Sequence, residues 1–312
     1  MSARGRIFVA GATGFVGGAL VARLLEAGWR VTALARDLDT AARGLGPDVA
    51  LFASSDSTES LSATLSGCHA VVNLAGEPIV GRWSEAKKSR ILGSRVETTR
   101  RLVEAIEDAA TPPTALVSAS AVGWYGHRTE FVDERAGPGS GFLSEVCQRW
   151  EAEASRACAH GTRVTTVRFG LVLGRGGGPL PPMLRAARFG LLGRLGTGDQ
   201  HVAWIHLSDA VDLLVQAIDD PRFEGPVNAV TGSVPQRQFA TAVARSVGRR
   251  LGPPVPAWAA RVALGEAASL LLDSSPVRAS EFWALPEGPT LPTLPDALAE
   301  VTARRGGSAE GR

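Results

Sequence analysis

Glycine recurs at positions 11, 14 and 17 in the segment Gly11-Ala12-Thr13-Gly14-Phe15-Val16-Gly17. The apolar run Ile7-Phe8-Val9-Ala10 precedes it, and an amphipathic stretch from Phe15 to Ala27 follows. A diphosphate needs that placement: a tight turn off a strand, backbone free to approach, and a helix N-terminus aimed at the charge. The context separates the segment from a glycine-rich turn that binds nothing. Gly11, Thr13, Gly14, Phe15, Val16 and Gly17 are therefore read as a dinucleotide cradle. The end of the next strand selects the nucleotide. A carboxylate there serves free ribose hydroxyls, whereas a guanidinium serves a 2′-phosphate. The chain reads Ala35-Arg36, with Asp37 as the competing group. Arg36 points to NADP(H); a solvated surface arginine is the plainer alternative.

Proton-moving residues are sparse. Ser120 follows an apolar strand run, where a ligand crevice opens in such sheets, and a turn-capping serine is its bland reading. Tyr125 and His127 lie close to it in sequence, and Glu77 follows the strand ending at Asn73. These four are the candidate catalytic groups, through acid–base work or contact with a reacting oxygen. The three cysteines, Cys68, Cys147 and Cys158, form no C-x-x-C pair, so no metal site is expected.

These residues need a scaffold, and the chain alternates strand and helix patterns to supply one. Strand runs fall at 7–10, 30–35, 49–52, 70–73, 115–118 and 164–169, with helical patterns over 84–109 and 142–159. Ile91, Val96, Leu102, Val103 and Ile106 share one face of the first long helix. The alternation predicts an α/β fold, a doubly wound parallel Rossmann sheet with a smaller C-terminal cap. We place the dinucleotide-binding domain at 1–174, a cap or substrate region with returns to the main sheet at 175–303, and a disordered tail at 304–312. Gly174 to Pro182 reads as loop, 202–205 as strand, and 208–218, 235–248 and 257–272 as helix.

Composition is that of a globular enzyme-sized chain: 312 residues, 45% hydrophobic, 21% charged. Net charge is +2, with basic residues scattered, so neither nucleic acid nor a membrane surface is an expected partner. With no signal-peptide pattern at the start of the sequence and sparse cysteine, a cytoplasmic protein is expected.

The glycine loop, Asn73-Leu74-Ala75-Gly76-Glu77-Pro78, Ser118 to Gly126 and Val167-Arg168-Phe169-Gly170 together resemble extended short-chain dehydrogenases/reductases. With Arg82-Trp83, Ser94-Arg95, Gly176-Gly177-Gly178 and Trp204-Ile205-His206, the chain is similar to the atypical epimerase-like subfamily of the NAD-dependent epimerase/dehydratase family, over roughly residues 5–300. The resemblance implies cofactor contacts at Asn73, Ala75, Gly76 and Ser118, a helical C-terminal region, and a homodimer formed through two long helices. The relatives use Ser, Tyr and Lys. Counted back from Glu151, the tyrosine position falls on Leu143 and the lysine position on Cys147. Near 276–282 a basic segment of the subfamily is replaced by Pro276-Val277-Arg278-Ala279-Ser280-Glu281-Phe282.

Three readings follow. The leading one is an NADP(H)-dependent oxidoreductase or epimerase-like enzyme with an altered acid–base group, acting on a small carbonyl or alcohol substrate. The second is a cofactor-binding sensor or partner-binding protein that does not turn over. The third is a cofactor-bound lyase or cyclase. Arg95, on the 84–109 helix, is a further group that would favour an anionic or carbonyl-bearing substrate if it faces the cleft.

Overall fold

The computed structural model describes residues 4–281 and 288–303, so the tail expected from Arg304 lies outside the described residues. Ten strands form two sheets. They are β1 (Arg6–Ala10), β2 (Arg30–Ala35), β3 (Val49–Ala53), β4 (Ala70–Asn73), β5 (Ala115–Ala121), β6 (Arg163–Phe169), β7 (Leu171–Leu173), β8 (His201–His206), β9 (Gly225–Ala229) and β10 (Gly232–Pro235). The main sheet runs β3-β2-β1-β4-β5-β6-β9, and every pairing in it is parallel. Its first six strands have the doubly wound order that reverses between β1 and β4, where a crevice opens at the strand ends. Strands buried on both faces read as continuous apolar runs, which is why Ile7, Phe8, Val9 and Ala10 are all fully buried.

The helices are α1 (Phe15–Glu26), α2 (Leu38–Leu45), α3 (Thr58–Leu65), α4 (Glu85–Glu107), α5 (Phe142–Ser155), α6 (Leu180–Arg188), α7 (Leu207–Asp219), α8 (Gln236–Ser246), α9 (Ala257–Leu264), α10 (Ser269–Leu272) and α11 (Leu294–Thr302). One core layer joins β1, β2, β4 and β5 to α1 and α7 through Leu20, Leu24, Val72, Leu213 and Leu214. The opposite layer joins the sheet to α3, α4 and α5 through Leu61, Leu102, Ile106, Leu116 and Ala154. Beyond residue 174 the chain returns twice to this body: α7 packs on α1, and β9 pairs with β6. The smaller sheet, β10-β8-β7, carries α6, α8 and α11 around Trp204, Phe239 and Leu298.

Two local expectations are corrected. The segment at Leu180-Pro181-Pro182, expected as loop, opens α6 instead. Proline is tolerated in a first helical turn because the missing N–H has no intrahelical acceptor there. The expected helix over 257–272 breaks at Gly265, whose φ of 61° ends α9; a 3₁₀ turn, Gly265–Ala268, then leads into α10. The divergent segment near 276 forms an isolated parallel bridge, Val132 with Val277, which ties the C-terminal region to the loop after β5.

Candidate active site

The N-terminal cradle has no room for a side chain at Gly11 or Gly17. A Cβ on Gly17 would lie 2.1 Å from the Gly11 carbonyl oxygen, and one on Gly11 would lie 2.6 Å from the Leu74 carbonyl carbon. Helix α1 starts at once from Gly14, which has no side chain to cap it, so its first amides are left for a ligand. The Gly176-Gly177-Gly178 loop closes over the ring of Phe15, with a Cβ on Gly177 meeting the ring at 2.4 Å. Thr13 is exposed at the mouth, and Val16 is half-buried in the first turn.

At the end of β2, Asp37 is committed to capping α2: its carboxylate accepts from Thr40 N at 3.0 Å and from Thr40 Oγ1 at 2.7 Å. These bonds hold its carboxyl below the usual range. Arg36 is exposed and makes no ion pair among the described residues. Of the two, Asp37 is thus engaged within the chain and Arg36 is not ion-paired.

Asn73 is fully buried. Its amide donates to Thr99 Oγ1 at 2.8 Å, and its carbonyl oxygen accepts from Ala75 N at 3.2 Å. The side chain thus shapes the loop carrying Ala75 and Gly76 rather than reaching outward. Ser118, its register partner on β5, is also buried within the sheet. Both side chains are thus placed to support the strand ends.

Ser120 is 3% exposed near the C-terminal end of β5. Its hydroxyl donates to Glu151 Oε1 at 2.5 Å. Arg168, beside Ser120 on β6, grips the same carboxylate from Nε at 2.9 Å and Nη2 at 2.8 Å. Arg168 Nη1 then donates to the Tyr125 hydroxyl at 3.0 Å, which donates to Asn228 Oδ1 at 2.8 Å. One buried chain of polar groups therefore runs across β5, β6 and β9 at their C-terminal ends.

Three candidate acids or bases have partners within the chain. Tyr125 has no exposed surface, and burial pushes its hydroxyl above the ordinary value. It is a buried link between Arg168 and Asn228. His127 Nδ1 accepts from Ser274 N at 3.1 Å, which fastens the loop after β5 to the C-terminal region. Glu77 pairs with Lys87 at 2.8 Å and with Arg90 at 3.8 Å. The Lys87 hydrogen bond, chiefly, holds its carboxyl below the usual range.

Leu143 and Cys147 pack beneath Gly123. The Cys147 Sγ faces the Ala121 carbonyl at 3.7 Å, and burial pushes the thiol up to about 11. Neither residue supplies a cation. One stands nearby on α4: Arg95 stacks over the Trp150 ring at 5.2 Å and donates to the Glu77 and Ile91 carbonyls, each at 3.0 Å. Sequence reasoning undervalued Glu151, Arg168, Asn228 and Arg95 as a group, because they are far apart in the chain. The usable signal was a charged residue, Arg168, near the C-terminal end of a buried strand. A separate cavity of about 530 Å³ opens between α1, α7 and α11, lined by residues including Arg23, Arg175, His206 and Glu300. It contains none of the residues of the crevice.

A parallel sheet reversing at the cradle, with a serine at the end of β5 and a helix α5 packed beside it, defines an extended short-chain dehydrogenase-type fold. The chain belongs to the NAD dependent epimerase/dehydratase family, whose model matches residues 7–230. It is 34% identical over 305 residues to the human epimerase family protein SDR39U1, covering 96% of this chain and all of that protein. It is 37% identical to a homolog of that protein from Arabidopsis thaliana described as chloroplastic, over 88% of this chain and 81% of the relative. The crystal structure of human SDR39U1 (isoform 2) with NADPH superposes with a TM-score of 0.85 at 35% identity, covering 95% of this chain and 99% of that one. A nucleoside-diphosphate sugar epimerase from Corynebacterium glutamicum superposes at 0.75 with 27% identity, covering 96% of this chain and 58% of that one. No helix among the described residues is long and apolar enough to cross a membrane.

Proposed function

We propose that this chain is an NADP(H)-binding oxidoreductase or epimerase-like enzyme acting on a small carbonyl or alcohol substrate. The observation that carries the reading is the uncapped start of α1 behind a cradle closed to a Cβ at Gly11 and Gly17, with Arg36 making no ion pair at the end of β2. A 35%-identical structure crystallised with NADPH supports the choice of nucleotide. The amides of the first turn of α1 would hold the pyrophosphate, Arg36 the 2′-phosphate, and the loop of Ala75 and Gly76 the facing ribose edge. When bound, the nicotinamide supplies hydride exchange.

The chain's own residues hold the proton. The hydrogen of Ser120 is committed to Glu151, so its oxygen is free to accept from a substrate hydroxyl. A proton received at Ser120 Oγ is matched by one passed on to Glu151 Oε1. Arg168 fixes that carboxylate in place. Tyr125 and Asn228 hold Arg168 from behind. In this reading Ser120 is the catalytic residue, and Glu151 both orients it and takes up its proton.

One observation favours a cofactor-binding sensor without turnover: Leu143 and the neutral, buried Cys147 occupy the positions of the usual acid and its lysine. Titration with NADPH and NADH, followed by a panel of ketones, aldehydes and sugar nucleotides, separates the two. Tight NADPH binding with turnover on any member of the panel supports the enzyme. Binding with no turnover across the panel, and no hydrogen-isotope exchange at the reduced nicotinamide, supports the sensor. Failure of both nucleotides to raise the unfolding midpoint overturns both readings.

A further inference from the structure

Related dehydrogenases draw a lysine from α5 to hold the ribose beside the nicotinamide, and here that position is the thiol of Cys147. The inward face of α5, formed by Ser144, Cys147, Trp150, Glu151 and Ala154, carries no cation. Arg95 approaches that face from α4, with its guanidinium carbon 5.2 Å from the centre of the Trp150 ring, one turn along from Cys147. It also lies flat on the loop after β4: a Cβ on Gly76 would meet its Cζ at 2.9 Å. Glycine at position 76 is what lets the guanidinium reach the strand ends.

The bonding of Arg95 is incomplete. Nη1 donates to the carbonyls of Glu77 and Ile91, whereas Nε and Nη2 have no acceptor among the described residues. No carboxylate of the described residues forms an ion pair with it. Burial holds its pKa below the ordinary arginine value, and the Glu77 charge, which forms no ion pair with it, offsets this only in part. A half-buried guanidinium with an unused edge is costly unless a ligand completes it. Lys87 and Arg90, its neighbours toward the start of α4, are already spent on Glu77.

We propose that Arg95 replaces the missing lysine, its unused Nε and Nη2 edge binding the hydroxyls of the nicotinamide-side ribose of NADP(H). The cation has moved from α5 to α4, and the pocket vacated on α5 is filled by the smaller Cys147. The proposal rests on the NADP(H) reading above.

The test is fluorescence titration with NADPH, in parallel with competition by adenosine 2′,5′-bisphosphate, which lacks the nicotinamide ribose. Arg95→Met should raise the Kd for NADPH about tenfold or more and leave the bisphosphate unchanged. Arg95→Lys should retain most of the affinity, and adding Cys147→Lys to Arg95→Met should recover it. Unfolding midpoints of the free variants report whether each is folded. If Arg95→Met does not fold, Arg95→Gln keeps a planar group between Gly76 and Trp150 without the charge. An unchanged NADPH affinity overturns the proposal, as does equal loss for both nucleotides, or a folded double variant that binds no better than Arg95→Met. A wild-type protein that binds neither nucleotide instead overturns the NADP(H) reading itself.

Discussion

The hydroxyl of Ser120 points at Glu151, 2.5 Å away, and not into open solvent. Arg168 closes on the same carboxylate in a two-pronged pair whose side chains are 3% and 10% exposed. The serine is thereby held in one rotamer by a charge that is itself neutralised. A guanidinium buried this deeply is tolerated because every prong is used, two on Glu151 and one on Tyr125.

Breaking that pair from one side should be expensive. Glu151→Ala leaves Arg168 buried without a counter-charge, and a loss of about 3–5 kcal/mol is expected. Urea unfolding measures it. The double variant Glu151→Leu/Arg168→Met removes both charges and should lose much less than the sum of the two single variants. Strict additivity would show that the pair is not coupled as its geometry requires.

Arg36 should discriminate between nucleotides. Its guanidinium is free while Asp37 caps α2, so Arg36→Ala should weaken NADPH about 10–100-fold and NADH little. Parallel titrations of the two nucleotides read this directly. An equal loss for both would remove the 2′-phosphate from the assignment.

The fold was legible because its signals are local. Apolar runs marked six of the seven strands of the main sheet, and the glycine spacing marked the turn between β1 and α1. Arg36 could also be placed, since it follows β2 directly. Ser120 was legible but its polar partners were not, because Arg168 and Asn228 reach it through sheet register and Glu151 through the packing of α5. Sequence proximity drew attention to Tyr125 and His127 instead. The turn through Gly126, at a φ of 59°, reverses the chain after Tyr125, which sends His127 to Ser274. The short helix α2 was invisible for another reason: its eight residues are capped by Asp37 and bury little but Ala41.

Cys147 should be an unreactive thiol despite its place beside Ser120. Burial raises it from 9.0 to about 11, with the Glu151 charge adding to the effect. At pH 8 its thiolate fraction falls to about a thousandth, against roughly a tenth for an ordinary thiol. Iodoacetamide labelling followed by peptide mapping should therefore mark exposed Cys158 first and leave Cys147 protected. The same shift makes stability pH-dependent. A thiol raised in the folded state contributes fully below pH 9 and loses that contribution as the pH climbs toward 11. Cys147→Ala should flatten this alkaline loss, and rapid labelling of Cys147 in the folded protein would contradict the shift.

The outward faces of α4 and α5 bear on assembly. Pairing through two such helices would need apolar side chains at the centre of the contact. Here the outward groups are charged and already satisfied within the chain: Arg100 with Glu153 at 3.5 Å, and Arg149 with Glu145 at 2.5 Å. The large exposed apolar side chains of the described residues lie elsewhere, with Phe189, Leu191, Trp258 and Val262 on the C-terminal cap. Light scattering at micromolar concentration should therefore show no dimer held through α4 and α5, and raising the salt should not change the mass. Any dimer that forms should be dissociated by Trp258→Ser and left intact by Arg100→Glu. A dimer cross-linked between two copies of α4, and dissociated by Arg100→Glu alone, would place the contact on the charged face and overturn this expectation.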